Sequence, residues 1–442
     1  MKRLRRALVI VVLLAAVAAI LPFFIPLDHY VPWVEQTASE SLHTPVKIRS
    51  LRFSLIPTPR LVIKGVAIGR SHGLTIASVT AEPLLRSLFS PVKVLRKLTL
   101  RGVTVGDNVL FKLAGLGGKG RGGPSPINIA RIALRQVNIQ WGNRRLGPYR
   151  ADIRLAPNGH LETARISEAH GKLSANVTPD GNAYRIQADA KNWRLPAGKP
   201  LFFERLALKS RLNAGELTIK QFQGVIYGGA FHGTGRLRWR HGWRFSGRLE
   251  TSGVAVRPLI RVFRGSSPLG GQLRSRSAFT FAAKNADRLF ADPVINSHFE
   301  LIDGTLYNVD LLKAAKFLGK EGSAGQTRFD RLSGVLKMRG RRFHFSRLSI
   351  ASGLLNATGN MAISPRRRLS GKIDVGLKVA DVPLSYVPLR LSGSLDSPVV
   401  RPTNAALAGG VVGTAILGPG VGTSLGIAAG DKLKKWFDGG QK

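Results

Sequence analysis

The chain has 442 residues, too many for one compact core, since such cores stop growing near about 250–300 residues, so several domains or one elongated repetitive structure is required. It holds no cysteine, which excludes a disulfide scaffold, a thiolate metal site and a thiol nucleophile. Its net charge of +42 raises a polyanion partner at once, yet the bases alternate with apolar residues, as in Arg236-Leu237-Arg238-Trp239-Arg240. Alternation sends one residue type to each face of a strand, so a solvated basic face is the plainer reading, with anionic headgroups ahead of DNA as a partner.

Lys2, Arg3, Arg5 and Arg6 precede an uncharged run from Ala7 to Leu27. As a helix that run would rise ~30 Å, enough to cross a hydrocarbon core, with the cationic end in the cytoplasm. A signal peptide cleaved after Ala16-Val17-Ala18 is the rival, but the apolar run continues past that point to Leu27. A transmembrane anchor over 1–27 is therefore expected.

Asp28 to His43 reads as a helix, with Val31, Val34, Ala38 and Leu42 on one face and Thr44-Pro45 as its stop. Beyond it, short alternating strands broken by Gly, Pro and Asn continue to about Arg401. Two further helices are expected, at Glu82–Phe89 and Asn308–Leu318. The expected fold is mainly β: a long, curled, elongated antiparallel sheet, groove-like or folded into a sandwich, with a few short helices behind the anchor. The division expected is 1–27 anchor, 28–111 N-terminal helix and β-units, 112–126 Gly-rich loop, 127–300 central sheet, 301–403 C-terminal β-region and 404–442 tail.

In the tail, Ala405 to Gly430 is uncharged and glycine-dense, with small residues at four-residue spacing. Lys432, Lys434, Lys435 and Trp436 then offer a cationic, aromatic membrane-interface anchor. An amphipathic membrane-associating helix is favoured over a disordered tail.

Catalytic motifs fail on context. Gly115 to Gly120 fits a dinucleotide loop, but Arg-Gly-Gly-Pro-Ser-Pro follows and cannot open a helix. Gly422-Thr423-Ser424-Leu425-Gly426 fits a nucleophile elbow, but no histidine follows it. Neither metal-ligand spacing nor a carboxylate pair emerges, so no enzyme, metal or cofactor is expected.

The N-terminal run, Ile48-Arg49-Ser50-Leu51-Arg52-Phe53-Ser54-Leu55-Ile56-Pro57 and Leu61-Val62-Ile63-Lys64-Gly65-Val66 resemble the start of AsmA-like proteins. So do Pro83-Leu84-Leu85, Leu100-Arg101-Gly102-Val103 and the Tyr227-Gly228-Gly229 turn. The C-terminal third is similar in order: Asp303-Gly304-Thr305-Leu306, Phe329-Asp330-Arg331-Leu332-Ser333-Gly334, Ala357-Thr358-Gly359-Asn360-Met361 and Pro388 to Pro398. The resemblance implies a bacterial inner-membrane anchor, a periplasmic β-groove like that of chorein-type bridge proteins, and a part in phospholipid transport or outer-membrane biogenesis. Phospholipids and membranes are then the expected partners, with other envelope proteins beside them and nucleic acid disfavoured.

By alternation, the groove candidates are Leu206, Leu208, Leu217, Ile219, Leu237, Trp239, Phe299, Leu301, Phe343, Phe345, Leu348 and Ile350. Ordinary sandwich core fits the same pattern. The functional alternative is a polyanion-binding envelope protein that uses an Arg-rich strand face.

Overall fold

A computed structural model describes residues 27–42, 44–54, 58–69, 73–90, 92–106, 127–141, 144–196, 199–316, 325–353, 355–377, 386–404 and 406. The N-terminal run with Lys2, Arg3, Arg5 and Arg6 lies outside these residues but for Leu27. The Gly-rich stretch 112–126 lies outside them too, as does the tail with Lys432, Lys434, Lys435 and Trp436, apart from residues 404 and 406. Among the described residues no helix is long and apolar enough to cross a membrane. The chain is mainly β and divides into two units: residues 1–197 with 207–218, and residues 198–206 with 219–442.

The first unit opens with a 3-10 turn, Leu27–Tyr30, and helix α1, Val31–Leu42. Val31, Val34 and Ala38 pack on Val46, Ile48, Val66 and Ile76, as the helical spacing predicted. Glu35 ties the helix to the first strands: Ile48 N–H donates to Oε1 at 2.6 Å and Lys47 Nζ lies 3.1 Å from Oε2.

The strands follow as β1 (Val46–Lys47), β2 (Ser50–Ser54), β3 (Arg60–Ile68), β4 (Leu74–Pro83), β5 (Lys93–Gly106) and β6 (Ile127–Ile129). Next come β7 (Arg131–Trp141), β8 (Arg144–Leu155), β9 (Leu161–Glu168), β10 (Leu173–Asp180) and β11 (Ala183–Arg194). The helix expected at Glu82–Phe89 is only a 3-10 turn, Leu85–Phe89, because Pro83 is the last residue of β4 and pairs with Leu95. Buried Ser87 fixes that turn, donating to Leu84 O at 2.7 Å and accepting the Val94 N–H at 2.8 Å.

The expectation of a purely antiparallel sheet is corrected here. β6 and β7 both pair parallel to β5, with Lys93 opposite Ile127 and Leu98 opposite Ile132. A parallel pair needs a crossover rather than a tight turn, and residues 107–126 separate β5 from β6 in the sequence. From β7 to β11 the pairing is antiparallel, and one face alternates apolar residues such as Ala151, Ile166, Ala175 and Ala188 in mutual register.

β12 (Phe202–Asn213) and β13 (Glu216–Ile226) each contribute residues to both units. The second unit then runs through β14 (Gly229–Arg238), β15 (Trp243–Ala255), helix α2 (Val256–Arg264), β16 (Leu269–Ala283) and β17 (Val294–Tyr307). Helix α3 (Leu311–Lys316) precedes β18 (Gln326–Arg339), β19 (Arg342–Ala351), β20 (Leu355–Ile363), β21 (Leu369–Leu377), β22 (Tyr386–Gly393) and β23 (Pro398–Pro402). From β14 to β23 each strand pairs antiparallel with the next. The boundary expected between residues 300 and 301 falls inside β17, whose two halves pair with the same neighbours.

α2 was not expected, although Val256, Leu259, Ile260 and Phe263 hold helical spacing and Gly265, at φ +82°, closes it. α3 begins later than the expected Asn308 because Asn308 itself is left-handed, at φ +64°. Asp310 caps it, accepting the Lys313 N–H at 2.8 Å. Buried Thr327 holds it too, accepting the Leu311 N–H and donating to Val309 O, both at 2.9 Å.

Candidate functional site

In the second unit, period-2 geometry places Trp243, Phe245, Gly247, Leu249 and Thr251 of β15 on one face and Arg244, Arg248 and Glu250 on the other. Register carries the first set across the sheet: Leu237 lies opposite Phe245, Phe245 opposite Phe281, and Gly247 opposite Phe279. Beyond them Phe279 meets Ile295, Ile295 meets Met338, and Met338 meets Phe343. A single apolar face thus runs over β14 to β19, while exposed arginines such as Arg236, Arg248 and Arg274 occupy its reverse.

Toward one end this face is sealed. Leu301, Leu332, Ile350, Ala357 and Val375 stand in register and are all buried. They share a core with Leu311, Ala314 and Ala315 of α3 and with Val256 of α2. α2 is fastened at its far end, where Arg264 Nη2 lies 2.8 Å from Asp396 Oδ1 in the β22–β23 turn. Arg367 shares the same carboxylate at 2.8 Å.

Toward the other end the face stays half-exposed, and its rings lean over glycines at angles of 16–56° to one another. A Cβ on Gly247 would meet the Phe279 ring at 2.7 Å, and one on Gly235 the Phe245 ring at 2.9 Å. Glycine leaves the floor clear, and the neighbouring strand's ring lies across it, the arrangement by which aromatic side chains shield sheet glycines. Phe245, Phe279 and Phe281 sit with centroids 5.1–6.2 Å apart. Phe290 joins 5.2 Å from Phe281 yet is 44% exposed. Trp239 stacks on Trp243 at 6.0 Å. Between the two ends Thr251, Ser275, Ser277 and Ser297 form a hydroxyl line, with O–O separations of 2.8, 3.5 and 2.8 Å. Their mutual hydrogen bonds let small polar groups sit on an apolar face without unpaired donors.

The structure sorts the sequence candidates. Leu237 and Trp239 are half-buried on the open face, and Arg236, Arg238 and Arg240 are exposed, as alternation predicted. Phe299, Phe343, Phe345 and Leu348 pack at the margin of the sealed core. Leu301 and Ile350 are corrections: they are buried inside that core, beneath the helices, and cannot line an open groove. Leu206 packs beside Phe231 and Val254, Ile219 is half-buried, and half-buried Leu208 and Leu217 belong to the first unit. Missing from the candidates were Phe245, Phe279, Phe281 and Phe290. Trp243-x-Phe245 and Phe279-x-Phe281 carried the same alternation as Leu237-x-Trp239, but their clustering depends on register, which no single strand reveals.

Among the described residues no group of three or more His, Asp or Glu is placed to hold a metal ion. No protein-family profile, curated protein or solved structure matches the chain.

Proposed function

We propose that this chain is an AsmA-like, inner-membrane-anchored scaffold that moves phospholipid or supports outer-membrane biogenesis from the periplasmic side, without catalysis. The observation that carries the reading is the paved, half-exposed stretch of apolar face between Trp239 and Phe343, beside a sealed core built on the same strands. Acyl chains lie on that stretch in a groove. Tyr30 and Trp33, 55% and 66% exposed directly after the N-terminal apolar run, suit the aromatic belt of a membrane interface.

The energetics suit transfer rather than storage. An acyl chain of about 16 carbons, half-shielded on a floor, gains ~6 kcal/mol over water at ~0.8 kcal/mol per methylene. A bilayer shields the whole chain, so lipid leaves the face wherever a membrane will receive it.

The test is a benzophenone side chain at Phe279 or at Leu301 of the full chain, irradiated in cells. Phospholipid captured at 279 and not at 301 supports the reading; capture at neither site sinks it. The second reading, a polyanion binder, draws on the exposed arginines of the reverse face, among them Arg248 and Arg274. It separates by salt, because apolar burial survives screening whereas phosphate contacts weaken steeply as salt rises.

A further inference from the structure

In an antiparallel meander, alternate connections emerge at the same edge. In the second unit the connections β14–β15, β16–β17, β18–β19, β20–β21 and β22–β23 therefore share one edge, and those between β15–β16, β17–β18 and β19–β20 share the opposite one. The two edges differ in their density of exposed arginine. On the first, the β18–β19 turn exposes Arg339, Arg341 and Arg342, and the β20–β21 turn exposes Arg366, Arg367 and Arg368. The β14–β15 turn adds exposed Arg240 and His241, and the β16–β17 connection adds Lys284 and Arg288 against Asp287 and Asp292. Aromatic residues are interleaved there: the stacked Trp239–Trp243 pair and Phe290, with Val294 38% exposed. The opposite edge is less densely basic: α2 exposes Arg257 and Arg261 beside Phe263, Asp303 and Asp310 stand near Lys313 and Arg328, and the β19–β20 turn, Ser352-Gly353, carries no charge.

We propose that the edge carrying Arg341, Arg366 and Phe290 is a docking surface for an anionic phospholipid bilayer. Arginine with Trp and Phe at one level suits the headgroup layer, where cations meet lipid phosphate and rings sit at the apolar boundary. From β14 to β17 the open part of the apolar face begins at this edge, whereas across β20 to β23 the sealed core reaches it through Ile363 and Leu369. Docking by this edge brings the floor to the acyl boundary of the membrane. The assignment goes beyond acyl binding, since an edge can dock whether or not the face carries lipid.

The test uses the full chain held in neutral phosphatidylcholine nanodiscs and mixed with acceptor vesicles with or without phosphatidylglycerol. Because the natural chain lacks cysteine, Phe290→Cys and Gly353→Cys each accept one environment-sensitive dye. Dye at 290 should shift to the blue on phosphatidylglycerol vesicles and dye at 353 should not. A shift at 353, or none at 290, overturns the proposal, as does a soluble polyanion reproducing the shift. In parallel, Arg341→Ser, Arg342→Ser and Arg366→Ser combined should weaken vesicle binding on the order of a hundredfold, at about fivefold per arginine. Arg248→Ser, Arg274→Ser and Arg328→Ser combined remove the same charge elsewhere and should leave binding within about twofold. Equal losses in the two triple variants would mean attraction by net charge alone and would overturn the edge assignment.

Discussion

Leu301 and Phe279 carry the same kind of side chain on the same sheet face, and a charge should affect them differently. Leu301→Asp places a carboxylate in a sealed core, where burial without a partner costs several kcal/mol, so the second unit should unfold. Phe279→Asp lies on the half-exposed floor, where water still reaches the carboxylate; thermal melts should show a folded protein, with lipid transfer lost. Arg238→Asp, on the reverse face, should leave transfer nearly intact. Unfolding of Phe279→Asp would make the open stretch another closed core. A second prediction concerns Tyr149. Burial, and the Glu168 carboxylate paired opposite it, push its hydroxyl above the usual tyrosine range. A raised value in the folded state means the contribution is complete below about pH 10, where the unfolded tyrosine titrates, and fades as pH climbs through the folded value. Urea unfolding at pH 9 and pH 11 should show a steeper alkaline loss in the natural protein than in Tyr149→Phe. At this scale the sequence told which face each residue takes, as at Leu237 and Arg238. It could not tell open floor from sealed core, because Leu301 and Leu237 alternate identically and differ only in what packs above them.

Among the elements, the helices repay separate treatment. α2 is held by a few apolar residues and by the Arg264–Asp396 pair, so Asp396→Asn should loosen it without unfolding the sheet. Hydrogen exchange of the amides from Leu259 to Arg264 should accelerate about fivefold, equivalent to ~1 kcal/mol, the upper end for an ion pair whose carboxylate is largely exposed. Thr327→Val should destabilise the second unit by about 1–2 kcal/mol, through loss of the Leu311 N–H partner, readable in a denaturant midpoint. α1 was legible because its apolar spacing and Thr44-Pro45 stop are unambiguous. α2 hid behind Val254-Ala255-Val256, which continues the alternation of β15 into the helix. The parallel pairing of β7 with β5 left no mark, since alternation is identical whichever way a neighbouring strand runs.

For the molecule as a whole, a charge of +42 means self-repulsion throughout the chain, which compaction intensifies. Moving from low to physiological salt should therefore raise the unfolding midpoint, and a fall would indicate that attractive pairs dominate. The rings over Gly235 and Gly247 bear on how an acyl chain would travel in the proposed transfer. Upright side chains would make ridges and hollows, each a local well that a sliding chain must leave. Rings packed over the glycines, with centroids 5.1–6.2 Å apart, fill the hollows with continuous apolar surface. Such a surface has friction but no ratchet. On the proposed reading it supplies no energy to impose a direction, so net flow of lipid would follow the difference in lipid supply.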